Sequence, residues 1–328
     1  MSKFTFEETP LDASWDSFVE DSPQGTIFST SAYLKASGVK PGAFYVKKGN
    51  DIRGAVVLNE TNHRIAKLDD LVIYNGVLHK KDLTTKPVRA RNERHEITKF
   101  IIDELLLRYD HLEFSLSESF EDLRPFLWLN YHSNNPLDKF ELDLRYSSYL
   151  NITSLKDSLD GSEESLLFKN LDSLRQRNLR EAKKVGAQVK IQDCPKLLLQ
   201  NYVKLMESQN ELVEIAKIER MRSIIETLVH KNKAFIACSI SPSGANLYQC
   251  VFCFDSKRAY YLFGAGDLDA SERYKGTLAF WGSFEFLAKK YGIKEVDLEG
   301  VNSPQRGFYK LSFGGNLKPY FEVIKRSS

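Results

Sequence analysis

The sequence predicts an α/β (α+β) protein made of two units of the same type, each a mixed, largely antiparallel sheet flanked by helices. Three observations support this. The chain has 328 residues, whereas a single hydrophobic core stops growing at about 250–300 residues. The order strand, helix, strands, helix, strand occurs roughly twice along the chain. Residues 147–165 are rich in Ser, Asp, Asn and Gly, which is typical of a boundary. We therefore expect domains at 1–150 and 151–328, with the last strand as a candidate to pack back on the first domain.

Capping residues and periodicity define the elements of the first half. Asp12 is a candidate N-cap for a helix to Glu20, since its carboxylate can accept hydrogen bonds from the first turn. Apolar residues at i, i+3 and i+4 spacing predict a helix over 93–108, which Asn92 would cap. The other predicted elements are a strand at 4–6, a hairpin of 43–47 and 54–58, a strand at 111–116, a helical stretch near 120–130 and a strand at 140–144.

The second half begins with a long basic helix, predicted over Ser165–Val185. Gly186 is expected to end it, because glycine readily adopts the left-handed conformation of a helix C-terminus. Short apolar runs separated by turn-like segments then predict an antiparallel meander. The further predicted elements are helices at 196–207, 218–231 and 276–291, meander strands at 234–240, 247–254 and 259–263, and strands at 294–298 and 318–324.

Composition excludes several classes of protein. The hydrophobic fraction of 42% supplies two cores, which excludes global disorder. The formal net charge of +2 excludes a strongly basic nucleic-acid binder, although not a local basic patch. No apolar run reaches the roughly 18 residues of a membrane span, and the first residues lack the apolar core of a signal peptide. Four cysteines are too few for a disulfide scaffold, so we expect a reducing, cytoplasmic setting without a transmembrane segment.

The sequence does not indicate a metal site or a common nucleotide motif. The six histidines form no close ligand pair, and Cys250 and Cys253 would point to opposite faces of an apolar strand. We expect these cysteines in the core and no bound metal. The motifs GxSxG, Walker A and GxGxxG are missing from the sequence.

Four segments of the second half carry candidate chemistry. The first, 175–186, would place Arg177, Arg180 and Lys184 within about 60° of one another on a helix. Such a cationic face suits phosphate, and an ordinary solvated helix face is the alternative. The second, 260–267, is a strand ending in small residues, which allow close approach of a ligand or another strand. An ordinary exit from strand to loop is the alternative here.

The third segment, 296–302, would place Asp297 and Glu299 on one face at the C-terminal end of a strand, where ligands of α/β proteins often bind. Such a pair can supply a general base, or it can form the salt-bridged end of a structural strand. The fourth, 306–315, combines Arg306, Lys310, aromatic residues and two consecutive glycines. We interpret it as functional, because this concentration has no evident structural need.

In this order and spacing, the four segments resemble the FemABX-like branch of the GNAT acyltransferase superfamily. The family pattern is a basic helix R-x-x-I-R-K-A-x-x-x-G, a strand Y-x-x-G-A or Y-x-x-S-G-S, a helix with a central Trp, then D-L-G-G and G-x-Y-x-F-K-x-x-F-G-G. The matching segments are Arg175–Gly186, Tyr261–Gly266, Gly276–Tyr291 with Trp281, Asp297–Gly300 and Gly307–Gly315, and the stretches 15–28 and 122–128 are also similar. Glu299 departs from the pattern, since Gly is common at its position, and the helical arm of some members is missing.

The resemblance implies two GNAT-like subdomains, with the active site in or beside the cleft between them and carried mainly by the second. The reaction would be attack of an amine on a thioester or ester carbonyl. Lys310 matches the family's cation near the reacting acyl group, and Asp297 or Glu299 would be the base, although the amine can also lose its proton to water. The implied substrate-binding residues are Arg175, Arg177, Arg180 and Arg306, with Arg175 and Arg180 on phosphate, and Tyr261 and Tyr309, which would shape the cleft.

Three hypotheses about the reaction stay open. Coenzyme A binding in GNAT folds uses a Q/R-x-x-G-x-G/A loop, which Arg273, Lys275 and Gly276 match in part. An acyl-CoA (acetyl-CoA) donor is therefore favoured, with the amine of an amino sugar, nucleotide-sugar or glycan precursor of the envelope as acceptor. The second hypothesis is an aminoacyl-tRNA donor and a peptidoglycan precursor, with tRNA as a partner and peripheral membrane association through a lipid-linked acceptor. The third is a catalytically silent binding module.

Overall fold

The computed structural model describes residues 3–81, 86–159 and 163–326. The chain divides into two compact units: unit 1 comprises Met1–Arg145 and Pro319–Ser328, and unit 2 comprises Tyr146–Lys318. Unit 1 is therefore discontinuous in sequence, because its last segment follows the whole of unit 2. Each unit contains its own cluster of buried apolar side chains.

Unit 1 is a mixed sheet with one long helix. Its strands are β1 (Thr5–Glu8), β2 (Lys40–Lys48), β3 (Asp51–Asn62), β4 (Ile65–Ala66), β5 (Gly76–His79), β6 (His111–Leu116) and the later part of β13 (Asn316–Lys325). Its helices are α1 (Ala13–Asp21), α2 (Ser31–Ser37), α3 (Pro87–Arg108) and α4 (Arg124–Leu127), with 3-10 turns at Ile27–Ser29 and Pro136–Asp138. The strand order is β1-β2-β3-β4-β6-β13, with β5 beside β3, and only the β4–β6 pair of this order is parallel within the described ranges.

Local chemistry explains where the helices of unit 1 begin. Asp12 accepts hydrogen bonds from two backbone N–H groups of the first turn, and α1 starts directly after it, as predicted. The prediction that Asn92 caps the long helix is wrong. The helix α3 begins at Pro87, whose fixed φ and missing N–H suit the first helical position.

Unit 2 repeats the combination of sheet and helices. Its strands are the part of β7 (Glu141–Asn151) from Tyr146 on, β8 (Gln188–Gln192), β9 (Ala234–Ile240), β10 (Asn246–Phe254), β11 (Ala259–Gly266) and β12 (Glu295–Gly300). Its helices are α5 (Leu166–Asn170), α6 (Ser173–Val185), α7 (Lys196–Ser208), α8 (Ile215–His230), α9 (Lys275–Phe286) and α10 (Pro304–Leu311), with a 3-10 turn at Thr153–Leu155 and a wider π-type turn at Leu287–Tyr291.

The sheet of unit 2 has the order β7-β12-β11-β10-β9-β8. Within it, β11 and β12 are parallel and the other described pairs are antiparallel. The helix α9 packs against β8, β9 and β10, while α7 and α8 pack against β9, β10 and β11. Every residue of β9 is buried, so helices cover both faces of this sheet. The predicted class, an α/β fold with mixed, largely antiparallel sheets flanked by helices, is confirmed.

The basic helix predicted over Ser165–Val185 is in fact two helices, α5 and α6. The chain becomes extended at Leu171 and Asp172, and the Asp172 carboxylate accepts a hydrogen bond from the N–H of Leu174 at 2.7 Å. This N-cap starts a new helix where the sequence pattern suggested continuity. Gly186, with a φ of 78°, ends α6 as predicted.

Candidate active site

Strands β11 and β12 run parallel inside the sheet of unit 2 and separate after a short contact. Their pairing joins Ala259 to Val296 and Tyr260 to Asp297, and then stops although both strands continue for several residues. In α/β sheets, ligands often bind where neighbouring parallel strands diverge at their C-terminal ends. The two predicted carboxylates lie on β12 from this point onward.

Asp297 and Glu299 are both buried, but strand β12 is irregular where it carries them. Glu299 has a φ of 58°, in the left-handed region that residues other than glycine rarely adopt. Asp297 stabilises this irregular backbone, because its Oδ1 accepts a hydrogen bond from the Glu299 N–H at 2.7 Å and another from the Ser147 hydroxyl. A bulge in β12, and not the alternation of a regular strand, therefore sets the relative positions of the two carboxyl groups.

Lys310 lies beside Glu299, and each group affects the titration of the other. Burial raises the pKa of Glu299 well above its usual value; Lys310 opposes this shift and Asp297 adds to it. Burial also lowers the pKa of Lys310, which the two carboxylates oppose. The Glu299 Oε1 atom has no hydrogen-bond partner among the described residues. A buried carboxyl next to an amine, with an unused acceptor atom, can exchange a proton with a substrate.

The amine of Lys310 is held in position by β11 and β12. It projects from α10 and donates a hydrogen bond from Nζ to the carbonyl oxygen of Gly300 at 3.1 Å. The same nitrogen lies 5.2 Å from the centroid of the Tyr261 ring, a distance at which a cation is attracted to the ring face. An ammonium group has three donors, so these contacts leave it able to bind a further oxygen.

Arg175 is the residue of the basic helix α6 that reaches the α10 side chains. Its guanidinium lies 4.9 Å from the centroid of the Tyr309 ring, and its Nη1 donates to the Thr277 hydroxyl at 2.8 Å. Asn178, one turn further along α6, donates to the same hydroxyl at 3.1 Å. The Nε of Arg175 has no hydrogen-bond partner among the described residues, so a donor stays available for an anionic group.

Three tyrosines and Phe280 form the aromatic wall of this region. The Phe280 ring centroid lies 4.8 Å from that of Tyr261 and 5.6 Å from that of Tyr309. Burial raises the pKa of both phenols and of Tyr248, so all three are neutral donors at physiological pH. A Cβ atom at Gly264 would stand 2.5 Å from the Tyr248 hydroxyl oxygen and 2.6 Å from that of Tyr261. The glycine of β11 thus makes room for these tyrosines.

Two further predicted substrate-binding residues, Arg177 and Arg306, are exposed on α6 and α10 respectively. Arg306 is close enough to Lys310 for its charge to lower the pKa of that amine. Within the described ranges, the Arg177 side chain forms no hydrogen bond and no ion pair. Both are accessible to a large anionic ligand.

The predicted cofactor-binding residues lie at the N-terminus of α9. Lys275 donates from Nζ to the carbonyl oxygens of Asp267 and Ala270, each at 2.6 Å, and so fixes the loop in front of the helix. Arg273 is exposed, and its carbonyl oxygen accepts from the Asn178 side chain at 3.1 Å. Directly behind them, a Cβ atom at Gly276 would stand 2.8 Å from the Tyr309 hydroxyl oxygen.

Arg180 lies away from Arg175 around α6. Successive helical residues rotate by about 100°, so five steps separate these two side chains by about 140°. Arg180 forms an ion pair with Glu163 at 2.8 Å and lies 5.3 Å from the Phe168 ring centroid. It lines a cavity of about 530 Å³ whose floor includes Trp281, and neither Lys310 nor the two carboxylates line that cavity.

Sequence reasoning missed the polar residues that position the site. Ser147 falls within the stretch read as a domain boundary, yet it is buried on β7 and donates to Asp297. Thr277 and Asn178 are also buried and connect α6 to α9. Thr277 and Asn178 could have been found in the sequence as polar residues at positions where the helical pattern places the core. Buried polar side chains require hydrogen-bond partners, so such positions indicate a structured contact.

Neither a cluster of metal ligands nor a helix able to cross a bilayer is found in the part of the chain that the structure describes. No group of three or more His, Cys, Asp or Glu side chains is arranged there to hold a metal ion. Cys250 and Cys253 are buried free thiols. None of the described helices combines the length and the apolar character that crossing a bilayer requires.

The fold occurs in solved structures with low sequence identity to this chain. No protein-family model and no curated protein matches the sequence. The crystal structure of FemX superposes with a TM-score of 0.63 and 12% identity, covering 97% of this chain and 98% of that one. The structure of L-PGS from Bacillus licheniformis has a TM-score of 0.55 and 11% identity, covering 96% of this chain and 92% of that one.

A third solved structure is also similar in fold. It is a tandem GNAT protein from the clavulanic acid biosynthesis pathway, with a TM-score of 0.51 and 10% identity, covering 98% of this chain and 97% of that one. Identities this low show a shared fold, and function does not follow from fold alone. The resemblance to FemABX-like and GNAT proteins is confirmed at the level of the fold, which is a tandem GNAT-like fold.

Proposed function

We propose that the protein is a GNAT-type N-acyltransferase that transfers an acyl group from an acyl-CoA-like donor to the amine of an amino-sugar or cell-envelope precursor. The observation that carries the proposal is the group formed by Glu299, Lys310 and Asp297 where β11 and β12 separate. It combines a carboxyl with an unused oxygen and an amine with unused donors in one buried place. Amine acylation needs these two functions, a proton acceptor and a stabiliser of negative charge.

The proposed reaction assigns one role to each of these groups. The substrate amine attacks the thioester carbonyl, so a C–N bond forms and the carbonyl electron pair moves to oxygen. The Lys310 ammonium stabilises that oxyanion, and the Glu299 carboxylate takes the proton that the nitrogen loses. The intermediate then collapses, the C–S bond breaks and the thiolate leaves, taking a proton from Glu299. Burial raises the pKa of Glu299, which makes its carboxylate a stronger proton acceptor than that of an exposed glutamate.

Cationic and aromatic residues of the same unit would bind the two substrates. Arg175 offers its unused Nε–H to an anionic group, and Arg177 and Arg306 add charge that is accessible from solvent. The donor would lie at the N-terminus of α9, where no side chain of the described residues caps the helix and backbone N–H groups favour an anion such as a pyrophosphate. Arg273, Lys275 and Gly276 form this end of the helix. Tyr261 and Tyr309 would bound the acceptor site. Because Arg180 is paired with Glu163, a direct role for it in substrate binding requires that this ion pair opens.

An aminoacyl-tRNA-dependent transfer to a peptidoglycan precursor is the alternative, and the likeness to the structures of FemX and L-PGS favours it. The same attack of an amine on an activated carbonyl would operate, with an ester as donor and tRNA as partner. A cytoplasmic enzyme of this kind would meet a lipid-linked acceptor at the membrane surface. The two donors differ enough for one experiment to distinguish them.

The test is to incubate the protein with an amino-sugar acceptor and acetyl-CoA, and in parallel with a peptidoglycan precursor and charged tRNA. Product mass is the readout, because the exposed Cys194 would react with thiol reagents. Lys310→Met should reduce turnover by more than about tenfold with an unchanged circular dichroism spectrum. The matched control is Lys204→Met, since Lys204 is exposed on α7.

Acylated product in the first arm, lost in Lys310→Met and kept in Lys204→Met, would support the proposal. Product only in the second arm would replace it by the tRNA-dependent alternative. No product in either arm is the result expected of a binding module, and it would refute both enzymatic functions. Wild-type turnover in the Lys310→Met variant would refute the role of Lys310.

A further inference from the structure

Unit 1 contains a cavity that the proposed reaction does not use. Its volume is about 620 Å³, and it lies between the first turns of α3, the end of β5 and the segment after β6. Its lining combines buried polar side chains with arginines and a few apolar residues. The lining residues are Gln24, His79, Pro87, Val88, Ala90, Arg91, Arg94, Thr98, Ser119, Phe120, Glu121, Asp122 and Arg124. We refer to it as the arginine cavity.

His79 is one of the residues that line the arginine cavity, and one of its ring nitrogens has no hydrogen-bond partner among the described residues. The residue is only 4% exposed, its Nε2 lies 3.0 Å from the Thr98 hydroxyl, and its Nδ1 has no hydrogen-bond partner among the described residues. Burial lowers the pKa of the ring to about 3, so the imidazole is neutral. In the tautomer in which Thr98 donates to Nε2, Nδ1 carries the proton and is a buried donor.

The position of His79 is fixed by its neighbours. Its backbone N–H donates to Gln24 Oε1 at 3.0 Å, and the Gln24 amide donates in turn to the Ser119 carbonyl oxygen at 3.1 Å. Its ring stacks on Phe120, with centroids 5.6 Å apart and planes inclined by 22°. A side chain held in this way is preorganised, and a buried N–H without a partner is costly unless a ligand satisfies it.

The positive charge of the cavity comes from the first turns of α3. Arg91 and Arg94 lie on the face of the helix that also presents Pro87 and Thr98. Arg94 is half-buried, and its Nε has no hydrogen-bond partner among the described residues. Among the described residues, no side-chain hydrogen bond caps this helix of 22 residues, and the backbone N–H groups and dipole of a helix N-terminus favour an anion at the same end.

The acidic residues of the lining only partly offset this charge. Asp122 forms a salt bridge with Arg124 at 2.6 Å, and the His95 ring lies 3.8 Å from the same carboxylate. The Arg124 guanidinium also lies 5.3 Å from the Trp128 ring centroid. Glu121 is exposed at the rim. Arg91 and Arg94 therefore supply a net positive charge to the interior.

We propose that the arginine cavity binds the phosphate group of a small organic phosphate. Arg94 and Arg91 would contact the phosphate oxygens, the backbone N–H groups of the first turn of α3 would face the same group, and His79 Nδ1 would donate to one oxygen. The Phe120 ring and the aliphatic wall of Pro87 and Val88 would contact the organic part, for which the cavity has room beyond a bare phosphate. All these residues belong to unit 1, so the proposal does not depend on the proposed transferase reaction.

The experiment is titration calorimetry of the full chain with phenyl phosphate, inorganic phosphate and benzoate, at an ionic strength held constant with sodium chloride. Phenyl phosphate should bind at least about tenfold more tightly than benzoate, because a phosphate offers more acceptor oxygens than a carboxylate. Arg94→Gln should weaken its binding at least about tenfold. Arg89→Gln should leave the affinity within about twofold, because Arg89 is exposed on the same helix but does not line the cavity.

A third variant tests the buried donor. His79→Asn should weaken phenyl phosphate binding while circular dichroism confirms the fold, and retention of wild-type affinity would overturn the role of Nδ1. If neither phenyl phosphate nor inorganic phosphate gives a heat of binding above that of a sodium chloride control titration, the proposal is overturned. Equal weakening by Arg89→Gln and Arg94→Gln would also overturn it, since general charge attraction would then explain the binding. Tighter binding of benzoate than of phenyl phosphate would reject the assignment to phosphate.

Discussion

Replacing Glu299 with glutamine should make the stability of unit 2 less sensitive to pH. Glutamine has nearly the same size and preserves the left-handed backbone, but it has no proton to gain or lose. Burial raises the pKa of Glu299 in the folded protein above its ordinary value of 4.5. A group with a raised pKa contributes its full stability below the unfolded pKa, and loses that contribution as the pH rises toward the folded pKa.

The magnitude follows from this linkage. Glu299 is only 6% exposed, so solvent screening does not reduce the effect substantially. Above pH 4.5, the free energy of unfolding of the wild type should fall relative to Glu299→Gln by up to about 1.4 kcal/mol per pH unit, until the folded pKa is reached. Lys310→Met should extend this range upward, because the Lys310 charge opposes the rise in the pKa of Glu299.

The measurement is guanidinium unfolding between pH 4.5 and 8. Pulse-labelled hydrogen exchange with mass spectrometry monitors the transition, so that unfolding of the unit 2 strands is measured separately from that of unit 1. Glu226→Gln, an exposed change on α8, is the matched control and should show little pH dependence relative to the wild type. A difference between wild type and Glu299→Gln that stays constant with pH would refute the reasoning. A wild type that gains stability relative to the variant as the pH rises would refute it as well.

Three further predictions concern other parts of the chain. Gly282→Ala should destabilise unit 2 by about 1–3 kcal/mol in denaturant unfolding, because the new methyl would stand 2.6–2.8 Å from Val189 side-chain atoms; no change would show that β8 can shift away. Iodoacetamide should modify the exposed Cys194 first, and Cys250, whose pKa burial raises to about 12, only after unfolding, as peptide mass spectrometry would reveal. Relative to His79→Gln, the wild type should lose up to about 1.4 kcal/mol per pH unit in chemical unfolding as the pH falls from 6.5 toward 3, because the folded pKa of His79 is depressed; parallel pH profiles would contradict this.

Local signals in the sequence were sufficient for most of the elements. The strand 111–116 and the strand 234–240 have the predicted bounds, because apolar residues alternate in the first and run together in the second between clear breaks. The α1 cap was also predictable, since Asp12 acts only on the residues that follow it. Failures arose where two signals competed: Asp172 caps a new helix inside a stretch whose periodicity predicted one long helix. The short edge strand β8 carried too little apolar pattern to be recognised.

The candidate site could be predicted as a set of residues but not as a geometry. The sequence paired Asp297 with Glu299 by assuming an extended strand, and the φ of 58° at Glu299 depends on the hydrogen bond to Asp297 that only the folded chain reveals. Arg175 and Arg180 were treated together because both belong to one basic helix. Their different surroundings depend on what packs against each side of α6, and tertiary contacts of that kind leave no trace in local sequence.

The discontinuity of unit 1 has a consequence for the order in which the protein is made. Strand β13 pairs with β6 through Phe321 to Lys325, and Val323 is fully buried in the core of unit 1. A ribosome therefore synthesises all of unit 2 before unit 1 receives its final strand. Unit 2 can fold as a continuous segment during synthesis, whereas the earlier segment waits with an unpaired strand edge exposed. Unit 1 is thus begun before unit 2 but depends on contacts with a strand that is made after it. The pairing of β6 with β13 joins residues about 200 positions apart, and contacts of such large sequence separation slow folding.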